Sequence, residues 1–165
     1  KMSSKLIVKT AYANIYSEPK FSSQLVTQAL FFEVLEVISS TGDWFEVSQW
    51  DGYTGYTHKF YLSEDIFTEE DSFLVTDRFL SMYDSSDFNN ITILVPFGSK
   101  IPIISNGDEY YMLQLIDDRN YFFKTETLLL EKNLRSRILK YSKKLVGSPY
   151  LWGGKTPFGY MSFLI

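Results

Sequence analysis

The 165-residue chain is 45% hydrophobic and 22% charged with a net charge of −4, a balance that fits one ordinary globular domain or two small ones and excludes disordered and fibrous classes. No apolar run approaches the roughly 18 residues of a spanning helix, so no membrane span is expected, and the acidic balance with scattered bases gives no general attraction to nucleic acid. The absence of cysteine excludes disulfides, thiolate metal sites and a thiol nucleophile within these residues, and no cofactor or metal site is expected. Aromatic residues reach 18%, and because such side chains favour pleated, half-buried surfaces they predict a mainly β protein with tyrosines left over for contact.

From Leu6 to Leu62 short apolar runs are broken by turn chemistry every eight to twelve residues, the pattern of a small sandwich or barrel. Leu6-Ile7-Val8 opens a strand, and Ala13-Asn14-Ile15-Tyr16 is a second, ended by Ser17-Glu18-Pro19. Gln24–Gln28 and Val34–Ile38 read as strands, the latter setting Val34, Glu36 and Ile38 against Leu35 and Val37. Thr41-Gly42-Asp43 and Asp51-Gly52 turn the chain into Trp44–Val47 and Thr54–Thr57.

The text then runs a second time. Moved by 67 positions, Tyr16 falls on Tyr83, Phe21 on Phe88, Val26 on Ile93 and Val34 on Ile101; after a one-residue slip, Trp44-Phe45 falls on Tyr110-Tyr111, Val47 on Leu113 and Tyr56 on Phe122. This predicts two modules, 5–66 and 72–130. The short acidic joint between them contains Ile66 and Phe67 and is expected to dock rather than swing. Gly52 and Gly55 give way to Asp118 and Asn120, and Trp44 to Tyr110, so the last hairpin of the second copy is expected to be built differently.

Beyond Leu128 the period becomes helical. Leu134, Ile138, Tyr141 and Leu145 recur among Arg135, Arg137, Lys140, Lys143 and Lys144, predicting a basic amphipathic helix over about 132–146 with a solvated charged face. Gly147 stands at its C-cap and Pro149 bars continuation. Pro149–Gly159 then holds three of the nine glycines and two of the five prolines, which demands a tight, irregular backbone.

The first module resembles a bacterial SH3 domain: Ala13–Pro19 stands where that family writes "LNVRSGPS", and Gly52-Tyr53-Thr54-Gly55-Tyr56-Thr57-His58 where it writes "GxxGYVH". The second resembles it only through the repeat. Gly147-Ser148-Pro149-Tyr150-Leu151-Trp152-Gly153-Gly154-Lys155-Thr156-Pro157-Phe158-Gly159-Tyr160 resembles the opening of NlpC-type cell-wall peptidases, papain-like cysteine enzymes that frequently carry bacterial SH3 domains upstream. The implied architecture is two tandem SH3-like β-barrels followed by a helix and loop, 131–165, that begin an incomplete α+β papain-like domain. The family then needs Asp-Cys-Ser-Gly, with the cysteine heading a helix that lowers the thiol's pKa. This sequence has Met161-Ser162-Phe163-Leu164-Ile165 instead, which sets Met161 near the nucleophile position and leaves the catalytic domain looking truncated.

The resemblance implies hydrolysis of a γ-D-glutamyl to diamino-acid bond in peptidoglycan stem peptides, with these residues alone inactive for want of nucleophile and catalytic histidine. The alternatives are a non-enzymatic peptidoglycan-binding module and a fragment without its own function. Tyr150 matches the tyrosine whose hydroxyl helps hold the family's oxyanion; the competing reading packs it on the Gly153-Gly154 turn, with Trp152 filling the space the glycines leave. His58, the only histidine, reads as a hairpin residue. Tyr12, Tyr16, Trp50, Asp51, Tyr53 and Tyr56 are the candidate walls for a stem peptide, whose free amine and carboxylates suit aromatic surfaces with a few charges. Leu134, Ile138, Leu145, Trp152, Phe158, Phe163, Leu164 and Ile165 form an apolar set expected to dock on the first module or to mediate self-association. No signal-peptide run is present, so the periplasm or cell envelope is expected if an export signal was removed, and the cytoplasm otherwise.

Overall fold

The computed structural model describes residues 5–64, 72–102, 105–106, 110–114, 120–124 and 134–161. Most of the acidic joint, and Phe163, Leu164 and Ile165 of the apolar set, lie outside them. Two compact units result: Lys1–Ile66 with Pro149–Ile165, and Phe67–Ser148.

The first unit contains strands β1 (Lys5–Val8), β2 (Tyr12–Tyr16), β3 (Leu25–Leu30), β4 (Val34–Thr41), β5 (Trp44–Ser48), β6 (Thr54–His58) and β7 (Leu62–Ser63). They form one antiparallel sheet in the order β3-β2-β6-β5-β4-β1-β7. Strand alternation selects the core as the sequence predicts. In β4 Leu35 is fully buried and Val37 packs on the core, whereas Val34 and Ile38 face out. Leu6, Val8, Ala13, Ile15, Ala29, Val47 and Leu62 complete that core.

β3 begins and ends later than the expected Gln24–Gln28. Ala29 and Leu30 pair with Ala13 and Tyr12, so the ladder runs on until the chain reverses at Phe31–Glu33. There Phe32 takes φ 63°, an uncommon conformation for an aromatic residue. The reversal is closed by Glu33, whose Oε2 accepts the Leu30 N–H at 2.8 Å.

The second unit contains β8 (Ser72–Leu74), β9 (Phe79–Tyr83), β10 (Ile91–Pro96), β11 (Lys100–Pro102), β12 (Ser105–Asn106), β13 (Tyr110–Gln114), β14 (Asn120–Lys124) and helix α1 (Leu134–Leu145). Its pairing follows the sequence repeat. Tyr16 opposes Tyr56 in the first unit and Tyr83 opposes Phe122 in the second; Trp44 opposes His58, and Tyr110 opposes Lys124. Even the loop bonds recur, Val8 N to Glu33 O and Phe32 N to Val8 O reappearing as Val75 N to Ser99 O and Gly98 N to Val75 O.

The two strands of the last hairpin keep the register of the first copy, whereas its turn, with Asp118, which was expected to be built differently, lies outside the described residues. One particular differs from expectation: the residue at the Gly55 position is Tyr121, not Asn120, since Gly55 opposes Val47 as Tyr121 opposes Leu113. A Cβ on Gly55 would lie 2.6 Å from the Tyr16 carbonyl oxygen, whereas the second unit buries the Tyr121 ring.

Helix α1 docks within the second unit. The Lys144 ammonium pairs with the Asp77 carboxylate, the Tyr141 and Phe97 rings lie 5.9 Å apart, and Arg78 donates to Ser148 Oγ at 3.2 Å. Of the charged face, Lys140 and Lys143 are exposed, Lys144 turns to Asp77, and the side chains of Arg135 and Arg137 lie outside the described ones. Gly147 follows at φ 82°, the left-handed cap anticipated from sequence. The segment grouped as 131–165 therefore divides: α1 belongs with the second unit, and the chain from Pro149 with the first.

Candidate functional site

The candidate site is the Pro149–Met161 loop docked on β3. Its two short strands, β15 (Lys155–Thr156) and β16 (Gly159–Tyr160), pair Lys155 with Tyr160 and Thr156 with Gly159. Leu151 N donates to Tyr160 O and Tyr160 N to Pro149 O, both at 2.9 Å. Two glycines allow the approach. Gly153, at φ 73°, presses against β3, so an added Cβ would stand 2.9 Å from the Val26 carbonyl oxygen. Gly154 faces the other strand of its own hairpin, and an added Cβ would overlap the Gly159 carbonyl oxygen. Both obstacles are backbone, which cannot swing aside as a side chain can.

Beneath the loop lies a buried polar chain. Gln28, 1% exposed, accepts the Lys155 N–H at 3.0 Å and the Thr156 hydroxyl at 3.3 Å through Oε1. Its Nε2 donates to Asn14 Oδ1 at 2.9 Å, and Asn14 Nδ2 donates to the Tyr16 hydroxyl at 3.1 Å. Gln49 Nε2 donates both to the Gln28 carbonyl and, at 2.7 Å, to Glu33 Oε1. Burial pushes the Glu33 carboxyl above its ordinary pKa; the Leu30 N–H, Gln49 and the Lys155 charge pull it back, and Asp51 adds to the rise.

One corner of the site is charged and open to solvent. Lys155 Nζ lies 2.5 Å from Asp51 Oδ2 and 5.3 Å from the centre of the Tyr53 ring. The other corner is aromatic, with Tyr12 and Phe158 rings 5.4 Å apart.

The structure sorts the six wall candidates. Asp51 and Tyr53 meet at Lys155, Tyr12 meets Phe158, and Trp50, at the tip of the β5–β6 hairpin, is 83% exposed. Tyr16 is corrected to a packing residue: it is buried against Phe21 and Trp44, and its hydroxyl receives Asn14. Tyr56 is half-buried opposite it.

Tyr150 and Trp152 are not packed on the glycine turn. They are 61% and 54% exposed, because the space beside Gly153 and Gly154 is taken by the backbone of Leu25, Val26 and Gly159. Met161 is half-buried, its N–H donating to the Gly154 carbonyl at 3.2 Å. His58 is structural. Its Nδ1 accepts the Phe60 N–H at 3.2 Å and caps the 3-10 turn Lys59–Tyr61, and its ring packs on Phe21 and Trp44. Hydrogen bonding from Lys59, with the charges of Lys59 and His58, holds the nearby Asp43 carboxyl below its usual range.

Gln28 and Thr156, which tie loop to barrel, are absent from the sequence-based candidates. The available signal was a pair of uncharged polar residues, Thr27 and Gln28, within the apolar run Leu25–Leu30. Among the described residues no group of three or more His, Cys, Asp and Glu is placed to hold a metal ion, and no helix is long and apolar enough to cross a membrane.

Residues 11–63 match the bacterial SH3 domain family, which assigns the first unit its class. Over 146 residues, 81% of its length, the chain is 25% identical to the γ-D-glutamyl-L-lysine dipeptidyl-peptidase of Bacillus subtilis (strain 168), and it spans 48% of that relative. It is also similar in fold to an NlpC/P60 family protein from Bacillus cereus ATCC 10987, with a TM-score of 0.77 and 18% identity over 95% of this chain and 68% of the other. The chain thus carries a bacterial SH3 domain at residues 11–63 and is similar in fold to an NlpC/P60 family protein.

Proposed function

We propose that the chain is the SH3-bearing part of a peptidoglycan hydrolase-like protein acting on γ-D-glutamyl stem peptides in the cell envelope. The observation that carries this reading is the Pro149–Met161 loop seated on β3 by Gly153, Gly154 and Gln28. It is the segment that resembles the approach to the NlpC-type nucleophile, and the barrel holds it in one place. The peptidase named by the B. subtilis relative supplies the substrate class.

The 165 residues contain no cysteine, and their one histidine caps a turn in an aromatic cluster, so they hold no cysteine–histidine pair of the kind the resembled family uses. Incubation of this chain with a γ-D-glutamyl tetrapeptide is expected to release no product. Cleavage that persists through orthogonal purification would overturn the inactivity.

A non-enzymatic wall-binding role is favoured by Trp50, exposed on a hairpin tip, together with Tyr53, 46% exposed beside Lys155 and Asp51. An aromatic face with both charge signs suits a short zwitterionic peptide. Retention on insoluble peptidoglycan above that of an unrelated acidic β protein is expected, and equal retention would remove this reading.

A further inference from the structure

We propose that Gln28 is a positioning residue by which the SH3-like barrel sets the place of the Lys155–Met161 hairpin, a role that rests on the reading of this loop as the approach to a catalytic centre. A glutamine side chain with 1% exposure in a strand otherwise rich in apolar residues needs compensation, since an unpaired buried amide is costly. Gln28 finds it in two directions. Its amide nitrogen points across the sheet to Asn14 Oδ1 on the neighbouring strand β2, 2.9 Å away. Its amide oxygen points at the loop, accepting the Lys155 N–H and the Thr156 hydroxyl, on residues more than 120 positions further along the chain.

Those two residues constitute β15, which pairs residue by residue with Gly159 and Tyr160 of β16. Met161 follows and is tied back by its N–H to Gly154 O. A shift of the Gln28 oxygen is therefore transmitted through one two-residue ladder to the position at which the resembled family places its nucleophile. Thr156 is fully buried as well, so water cannot readily replace the lost partner. The Lys155–Asp51 pair, its side chains 32% and 20% exposed, also joins loop to barrel, but through the end of a long, flexible lysine rather than through the backbone of β15. Gln28 supplies the buried, directional contact that fixes register.

Asn14 extends the device. It receives Gln28 on one atom and donates to the Tyr16 hydroxyl with the other. The amide of Gln28 thus cannot flip without setting oxygen against oxygen at Asn14 and turning its N–H groups toward the Lys155 N–H.

The test is residue-resolved amide hydrogen exchange on the full chain, which needs neither substrate nor activity; its failure is thus distinct from failure of the proposed function. In Gln28→Met, close in shape but without hydrogen-bonding groups, the amides of Lys155 and Tyr160 should exchange about 10- to 100-fold faster, while those of Val47 and Tyr56 in the β5–β6 ladder keep their protection. Thr156→Val removes one bond and leaves the barrel untouched; it should accelerate loop exchange about 3- to 10-fold and keeps the test decisive if Gln28→Met fails to fold. In Gln28→Met/Thr156→Val the two effects should be less than multiplicative, because both remove the same contact. Unchanged loop protection in either single variant, equal loss of protection in loop and barrel, or fully multiplicative effects would each overturn the proposal.

Discussion

At the scale of single residues, the site depends on two opposite chemistries, absent side chains and buried amides. Gly154→Ala places a methyl group against the Gly159 carbonyl oxygen. It is expected to destabilise the docked loop by about 1–3 kcal/mol, in the range of other overpacking changes, read as loss of amide protection in 154–161. Lys155→Ala removes a partly exposed ion pair and a cation–π contact, and should shift urea-unfolding stability by no more than about 1 kcal/mol. If Lys155→Ala proved the more damaging of the two, electrostatics rather than close approach would hold the loop.

Glu33 supplies a pH prediction. Its folded pKa is raised, chiefly by burial, so folding favours the protonated form. The associated stability is present below the unfolded value and lost as pH rises through the folded pKa. Stability of the native chain relative to Glu33→Gln, followed by urea unfolding, should therefore decline on going from about pH 4 to pH 7. A rise over that interval would show that the Leu30 and Gln49 hydrogen bonds, which pull the pKa down, outweigh desolvation.

At the scale of elements, the loop and the helix before it are held by different partners. Helix α1 is fixed through Asp77, Phe97 and Arg78, and the hairpin through β3. A chain ending at Ser148 should keep α1 and both sheets by circular dichroism. The first unit should nevertheless lose roughly 1–3 kcal/mol, because Gln28 Oε1 then faces water and two net hydrogen bonds disappear. No loss would mean that the loop contributes no stability to the barrel.

The strands themselves were legible. Leu35 and Val37 against Val34 and Ile38 is a period of two that survives folding intact, and the doubled register shows that the repeat was read at nearly the right offset. Asn120 is one residue off the Gly55 position, because the offset that sets Tyr56 on Phe122 sets Gly55 on Tyr121. Backbone pairing fixes that position at Tyr121. The fates of Tyr16, Tyr150 and Trp152 were not legible, because a tyrosine or tryptophan reads the same in sequence whether its ring fills a core or faces solvent.

At the scale of the molecule, a barrel that binds wall peptide through its exposed aromatics predicts a simple separation of binding from folding. Trp50→Ala, at a side chain 83% exposed, should change stability by less than about 0.5 kcal/mol yet reduce retention on insoluble peptidoglycan several-fold. Full retention would exclude Trp50 from the binding face.

The sequence by itself determined the β class, the repeat, the helix with its glycine cap and the lack of any thiol, since these follow from periodicity, turn chemistry and composition, which are local. Docking of the C-terminal segment on the first module was expected from its apolar residues; only the tertiary structure decided that helix α1 goes with the second unit while the Pro149–Met161 loop goes with the first, and that Gln28 is what receives the loop. That contact joins residues more than 120 positions apart. Its specificity comes from an amide oxygen meeting an N–H and a hydroxyl within a buried space, and no local pattern records which distant groups will fill such a space.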